Sequence, residues 1–413
     1  MYGWRFLYHD FMENHTVMLT ERQLFFKHLA QTSPDPLALE IVKAEGLYLY
    51  SSDGRKYIDM ISGISVSNTG HRHPEVTEAV RRQLDKYMHL MVYGEYILSP
   101  QVKLATKLAG ILPANLNSVY LVNSGSEAVE GALKLAKKFT GRTEIAAFIN
   151  AYHGSTQGSL SVMGNEDFKR AFRPLLPGIR FLKFNHSDDL KNIDKTVACV
   201  IVEPVQGEAG VIVPEEGFLN ALREKCNETG TLLIFDEVQT GFGRTGKMFA
   251  MEKFGVIPDI IILAKGMGGG MPVGAFVASE EIMSSFMSQP ALGHITTFGG
   301  HPVCCAAAVA NIAVIENEKL AETVTRKEKL FRQLLVHPLI REVRCSGLLI
   351  AVDLGDAGKV KSLITACLVN GLILDWFLFN DRSLRIAPPL IITESEIREA
   401  CSVIIKCLSE IQI

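Results

Sequence analysis

The 413-residue chain has no apolar run approaching the ~20 residues that a bilayer crossing demands, so its mildly positive mean hydropathy of +0.17 reads as buried strands in a soluble protein. It has no acidic or basic tail. With 21% charged residues and a formal net charge of -3, it matches neither a disordered chain nor one that coats nucleic acid. C-x-x-C pairs and Cys/His clusters are missing, and the eight cysteines are spread through apolar segments, which reads as buried free thiols in a reducing cytoplasm. Internal repeats and low-complexity linkers are also lacking. Met1–Val17 lacks the basic start, apolar run and small-residue cleavage site of a secretory signal, and reads as a disordered extension ahead of a start at Met18.

What is present is alternation. Seven short runs rich in β-branched residues read as strands: Val119–Asn123, Glu144–Asn150, Ile179–Phe184, Val197–Pro204, Thr231–Val238, Asp259–Lys265 and Gly274–Ser279. Their continuous apolarity suggests burial on both faces. Between them, Ser126–Thr140 puts Ala128, Val129, Ala132, Leu133, Leu135, Ala136 and Phe139 on one helical stripe, and Pro214–Gly230 starts with proline and stops at glycine. Strands alternating with helices predict an α/β fold with a parallel sheet. A long connecting helix is expected near 303–336, followed by a smaller strand, helix, strand, helix unit: Val343–Leu354, Gly358–Gly371, Leu384–Pro388 and Thr393–Ile411.

Two charges stand where an apolar strand wants none. Asp236 ends the run Leu232–Phe235, and 29 positions later Lys265 ends Asp259–Ala264 and opens the flexible Gly266–Gly270. In open α/β sheets, ligands bind at such strand ends. A desolvated lysine there suits Schiff-base chemistry, because an amine must shed its proton to attack a carbonyl. Taken singly, a strand-end Asp is as readily a helix cap and a strand-end Lys a solvated charge. The weighing changes with Asn123–Ala128 (NSGSEA), where a strand passes into a helix and free N–H groups await an anion, and with Tyr152, whose ring can lie flat on a planar ligand. A lysine, an acid, a phosphate cradle and a stacking ring at successive strand ends are what pyridoxal 5'-phosphate (PLP) requires.

On these residues the chain resembles the class III (subgroup II) aminotransferases of the acetylornithine/ornithine type, from about Leu37 to the C-terminus. The most specific segments are Leu233–Gly246, Asp259–Gly274, Val202–Gly210 and Thr297–Pro302. The resemblance implies PLP fold type I: a large domain with a mostly parallel seven-stranded sheet, and a smaller α+β domain formed by the C-terminal part and the N-terminal segment. The expected division is 1–60 as extension and segment packing with the small domain, 61–302 as the PLP-binding domain, and 303–413 as connecting helix and small domain.

It also implies roles. Lys265 and Asp236 are the catalytic pair, Lys265 forming the Schiff base and Asp236 partnering the pyridine nitrogen. Ser124, Gly125 and Ser126 hold the phosphate, Tyr152 stacks on the ring, and Gln239 lies near the phenolic oxygen. His153 and Glu203 complete the cofactor-binding set, while Thr297 reaches the phosphate of a neighbouring subunit, implying a homodimer with shared active sites. Arg385 of Ser383–Pro388 grips the α-carboxylate of glutamate and 2-oxoglutarate, and Glu208 is its switchable partner. The same two residues would also form a plain structural salt bridge.

Two substrate-binding positions disagree. Related enzymes usually carry an arginine for a distal carboxylate where this chain has Ser155, while Ile64 stands where ornithine aminotransferases carry tyrosine, as in the 4-aminobutyrate type. The expected reaction is transfer from an ω-amine or amino acid donor to 2-oxoglutarate by a ping-pong mechanism. A 4-aminobutyrate, lysine or diamine donor stays open, as does a PLP decarboxylase or aminomutase on the same fold. His71 and His73 have H-x-H spacing without further ligands, which reads as a structured turn rather than a metal site. Gly241–Gly246 (GFGRTG) superficially resembles a dinucleotide loop but does not open a helical pattern after a strand.

Overall fold

The computed structural model describes residues 19–411; the expected extension at Met1–Val17 lies outside them. Near the N-terminus, β1 (Ile41–Glu45), β2 (Tyr48–Ser51) and β3 (Lys56–Asp59) form an antiparallel meander. The seven expected strands then follow as β4 (Ser118–Val122), β5 (Glu144–Phe148), β6 (Ile179–Leu182), β7 (Val197–Val202), β8 (Leu232–Asp236), β9 (Ile260–Leu263) and β10 (Gly274–Ala278). They make one sheet in the order β4-β10-β9-β8-β7-β5-β6, and only β10 runs against its neighbours. Every residue of β7, β8, β9 and β10 is buried, as continuous apolar runs covered by helices on both faces require.

Helix Gly125–Thr140 covers one face. Ser124 caps its start, Gly141 ends it in the left-handed conformation, and Ala128 to Ala136 of the expected stripe are buried, but Phe139 in the last turn is exposed. The helix expected from Pro214 begins at Phe218 after a left-handed Gly217, and ends at Gly230 as expected.

The expected connecting helix is two helices, Pro302–Asn317 and Leu320–Leu334, because Lys319 takes a left-handed φ of 52° between them. The first is apolar around most of its circumference and packs against helices Pro74–Leu84 and Ser99–Ile111. The single strand expected over Val343–Leu354 is a hairpin of β11 (Glu342–Ser346) and β12 (Leu349–Asp353), folded at a left-handed Gly347 whose added Cβ would come 2.3 Å from the Arg244 carbonyl oxygen. After helix Ala357–Val369 come β13 (Leu372–Ile373), β14 (Asp375–Phe377) and β15 (Asn380–Ile386), and helix Glu394–Glu410 closes the fold. β13 pairs in parallel with β3, so the N-terminal meander and the C-terminal part share one sheet, while β11-β12-β15-β14 form another. All eight cysteines are buried and free, and among the described residues no helix is long and apolar enough to cross a membrane.

Candidate active site

The carboxyl ends of β5, β7, β8 and β9 converge on a cavity of about 390 Å³. Its lining includes Ser124, Gly125, Ser126, Tyr152, His153, Glu203, Glu208, Asp236, Gln239 and Lys265, which brings most of the sequence-derived candidates into one place. Asn123, which opens the NSGSEA segment, also lines it, as do Val66, Val238 and Met271–Val273, to which the sequence assigned no site role. Asn123 left a local signal: its backbone N–H and side-chain amide both donate to Glu127 at 2.8 Å, an i,i+4 pair that fixes the strand-to-helix corner.

Asp236 is buried at the end of β8, where one carboxylate oxygen accepts the Val238 N–H at 3.1 Å and the other meets His153 Nδ1 at 2.7 Å. Glu203, just past β7, accepts the Tyr152 N–H at 2.8 Å and the Gly207 N–H at 3.0 Å, tying two cavity loops together. Burial pushes its pKa up to about 7, and the nearby Asp236 adds to this against the opposing pull of His153 and the two amides. Lys265 follows β9 at a left-handed φ of 43°, and desolvation lowers the pKa of its ammonium against the attraction of Glu208 and other carboxylates.

Arg385 on β15 is not itself on the cavity lining but is joined to it through Glu208: its Nη2 donates to Glu208 at 2.5 Å and to the Trp376 carbonyl at 3.0 Å, and the guanidinium lies over the Phe377 ring at 4.7 Å. Its Nε and Nη1 are buried without a partner among the described residues. Glu208 also accepts the Leu378 N–H at 3.1 Å and the Gln239 side-chain N–H at 3.3 Å. Burial alone would raise the Glu208 pKa, but Arg385 outweighs it and the net shift is downward.

The remaining candidates lie off the cavity lining. Ser155 is exposed, with Oγ 3.3 Å from the Tyr152 hydroxyl. Ile64 sits in a turn where Ser62, Gly63, Ile64 and Ser65 all have φ between 45° and 63°, a conformation that strains a β-branched side chain. The Asp59 carboxylate holds that turn by accepting the Ile61 and Ser62 N–H groups, each at 2.9 Å. Thr297 is exposed ahead of helix Pro302–Asn317. His71 pairs with Asp59 at 2.8 Å and His73 with Glu318 at 3.2 Å.

The cavity suits a flat, anionic, polar-edged group. At the start of helix Gly125–Thr140, Ser124 Oγ takes only the Glu127 N–H, at 3.2 Å, leaving the Gly125 and Ser126 amides at the cavity wall for an anion. The backbone there is bare: a Cβ on Gly154 would come 2.2 Å from Ser126 Oγ. Gln239 Oε1 is buried and unpartnered among the described residues, a polar edge waiting for a donor. These features fit a phosphate, an aromatic ring and its polar substituents.

Comparison with known proteins agrees. The family described as Aminotransferase class-III matches residues 29–408. The chain is 42% identical to an acetylornithine aminotransferase of Methanopyrus kandleri, over 92% of this chain and 96% of that one. It is 39% identical to a [LysW]-aminoadipate semialdehyde/glutamate semialdehyde transaminase of Sulfurisphaera tokodaii, over 88% and 92%. The solved ornithine aminotransferase of Toxoplasma gondii ME49 superposes with a TM-score of 0.88 at 30% identity, covering 98% of this chain and 97% of that one. The chain belongs to the class III aminotransferases and is a PLP-dependent transaminase of fold type I.

Proposed function

We propose that this aminotransferase takes an amino group from an ω-amine or amino acid donor of the acetylornithine or ornithine type and delivers it to 2-oxoglutarate in two alternating half-reactions. The observation that carries the reading is the buried Arg385–Glu208 pair, in which one guanidinium nitrogen is engaged and two others are left without partners. While Glu208 holds Arg385, the rim is neutral and accepts an amine. When Glu208 turns away, the planar fork is free to bind the α-carboxylate of 2-oxoglutarate in a bidentate manner. The names of the relatives support an acetylornithine-like donor. The serine at 155, beside the tilted pair Tyr152–Phe379, supports a second reading in which the donor is a diamine, lysine or 4-aminobutyrate.

The cofactor, when bound, supplies an aldehyde and an electron-accepting ring. Lys265 would hold the aldehyde and, once displaced by the donor, carry the proton lost from the donor's Cα; its lowered pKa favours the neutral amine this needs. Asp236, kept in position by His153 and the Val238 N–H, would hold a proton on the pyridine nitrogen. Ser124, Gly125 and Ser126 would bind the phosphate, Tyr152 and His153 would flank the ring, Gln239 would meet the phenolic oxygen, and Glu203 would fix the Tyr152 backbone. Ile64 and Ser155 would face the donor. Thr297, exposed in the single chain, would reach the phosphate of a second copy, making the working unit a homodimer. Residues 1–60, 61–302 and 303–413 would be its structural divisions, the cytoplasm its compartment, and an amino donor and a 2-oxo acid its small-molecule partners, with no nucleic acid or membrane involved.

The test is a panel of amino donors against 2-oxoglutarate and pyruvate, repeated with Arg385→Lys. Loss of the bidentate contact should weaken the 2-oxoglutarate half-reaction by roughly tenfold to a hundredfold while the donor half suffers less. An Arg385→Lys enzyme that handles 2-oxoglutarate normally would sink the reading.

A further inference from the structure

Arg244, in the GFGRTG segment, heads the fully buried side chains by size. Nη1 donates to the Leu348 carbonyl at 3.0 Å and the Pro388 carbonyl at 2.5 Å, and Nη2 to Asn68 Oδ1 at 2.5 Å and Ser62 Oγ at 3.3 Å. All of these acceptors are uncharged, and Nε is buried without a partner among the described residues. Burial accordingly pushes its pKa down to about 9, with only the more distant Asp59 opposing. A guanidinium held this way is costly to bury, and a well-packed apolar residue would cost less.

What it joins is specific. Ser62 opens the strained left-handed turn and Asn68 lies just beyond it, and Val66 between them lines the cavity. Pro388 lies three residues beyond Arg385 in the sequence. The two segments are bonded to each other as well: Ser62 Oγ donates to the Ala387 carbonyl at 2.7 Å, Ala387 N–H to the Met60 carbonyl at 2.7 Å, and Leu390 N–H to the Asn68 carbonyl at 2.7 Å. Asn68 Nδ2 donates to the Phe242 carbonyl at 2.8 Å and lies 2.5 Å from where a Cβ on Gly266 would sit, directly after Lys265. On the far side, the Leu348 N–H donates to the Arg244 carbonyl at 2.9 Å.

We propose that Arg244 is a positioning residue for the acceptor half-reaction: by pinning Ser62 and Asn68 to Pro388, it fixes the Arg385 strand against the Val66 wall of the cavity. The inference rests on Arg385 being the carboxylate clamp. A purely structural Arg244 would lower stability and reduce both half-reactions in proportion to the folded fraction. A positioning Arg244 changes the affinity for one substrate.

The experiment compares the holoenzymes of wild type, Arg244→Lys, Ser62→Ala and Arg385→Lys by stopped-flow half-reactions, with the absorbance of the bound cofactor as the check on the rest of the site. Arg244→Lys should raise the concentration of 2-oxoglutarate needed for half-maximal rate about tenfold, and Ser62→Ala, which gives up only one long contact of 3.3 Å to the guanidinium and one neutral bond to the Ala387 carbonyl, about threefold. Both should keep the cofactor spectrum and change the donor half-reaction less than about twofold. Equal scaling of both half-reactions overturns the proposal. If Arg244→Lys does not accumulate as folded holoenzyme, Ser62→Ala decides, and an unchanged 2-oxoglutarate dependence there overturns it. If Arg385→Lys itself leaves that dependence unchanged, the clamp reading fails and the inference goes with it. An effect of Arg385→Lys without one of Arg244→Lys or Ser62→Ala defeats the inference alone.

Discussion

Along the carboxyl edge of the seven-stranded sheet, Asp236 and Glu203 are each held by two hydrogen bonds of 2.7 to 3.1 Å, to His153 and to backbone amides. Glu208, also on the cavity lining, meets Arg385 from a segment 177 positions away, and two guanidinium nitrogens stay unpaired among the described residues. On one wall the two carboxylates have their partners before any ligand arrives, and on the other the ion pair is left able to exchange partners. That division suits a reaction in which one cofactor stays and two substrates alternate. Satisfied groups on strand ends give fixed geometry, and an under-satisfied ion pair on a hairpin gives a choice.

Breaking the fixed wall should have the largest effect. Lys265→Ala removes the amine proposed to anchor the cofactor and to carry the proton, so transamination should fall by on the order of 10⁴-fold and the absorbance of the lysine-bound cofactor should vanish. Borohydride labelling that landed on another lysine would refute the assignment. Next comes Asp236→Asn, which keeps the shape but removes the charge proposed to face the pyridine nitrogen. Cofactor should be largely retained while kcat falls by on the order of 10²-fold or more. Near-normal turnover in this variant would leave the proposed role without support.

A smaller effect tests how far burial dominates on the fixed side. The pKa of Glu203 is raised from 4.5 to about 7, so between those values the folded protein binds more protons than the unfolded chain. Stability contributed this way is fully present below pH 4.5 and is lost as pH rises through about 7, by about 3 kcal/mol in all. Glu237, also raised to about 7 by burial, gives a slope of the same sign. Glu203→Gln should therefore flatten the fall in stability across this window without abolishing it, as measured by urea unfolding at several pH values. An undiminished slope would mean that Glu203 is already ionised at low pH.

The contrast between the walls also explains what could be read without coordinates. Asp236 and Lys265 are legible because a charge ending an apolar run breaks a local pattern, and the sheet follows from the same runs. The β11–β12 hairpin was hidden because Gly347 turns the chain inside one apolar stretch, and the break between the connecting helices because Lys319 is an ordinary helix former adopting a left-handed φ. Arg385 and Glu208 were reached only by resemblance, since nothing local joins them. Arg244 was seen as part of a glycine-rich motif but not understood. Its acceptors lie 104 to 182 positions away, and a buried role for an arginine shows only once the chain has brought those acceptors around it.

The finest test is at Ser155, beside Tyr152 and off the cavity lining. The side chain is exposed, its Oγ is 3.3 Å from the Tyr152 hydroxyl, and nearby aromatic rings continue from Tyr152 to Phe379 and Phe168 with centroids 6.3 and 5.2 Å apart. Ring faces carry negative potential, so they favour a cationic or apolar distal group over a carboxylate. A donor with a distal carboxylate should therefore be used less well than a diamine, and Ser155→Arg should shift the ratio toward acetylornithine or 4-aminobutyrate. The new pair would stand in solvent, where such contacts contribute roughly 0.2–1 kcal/mol, so the shift should be no more than about fivefold. Stopped-flow rates of the donor half-reaction for each amine, with and without the substitution, measure it. A strong wild-type preference for acetylornithine, with Ser155→Arg harmful, would show that another residue already supplies the distal clamp and that the aromatic mouth does not select the donor.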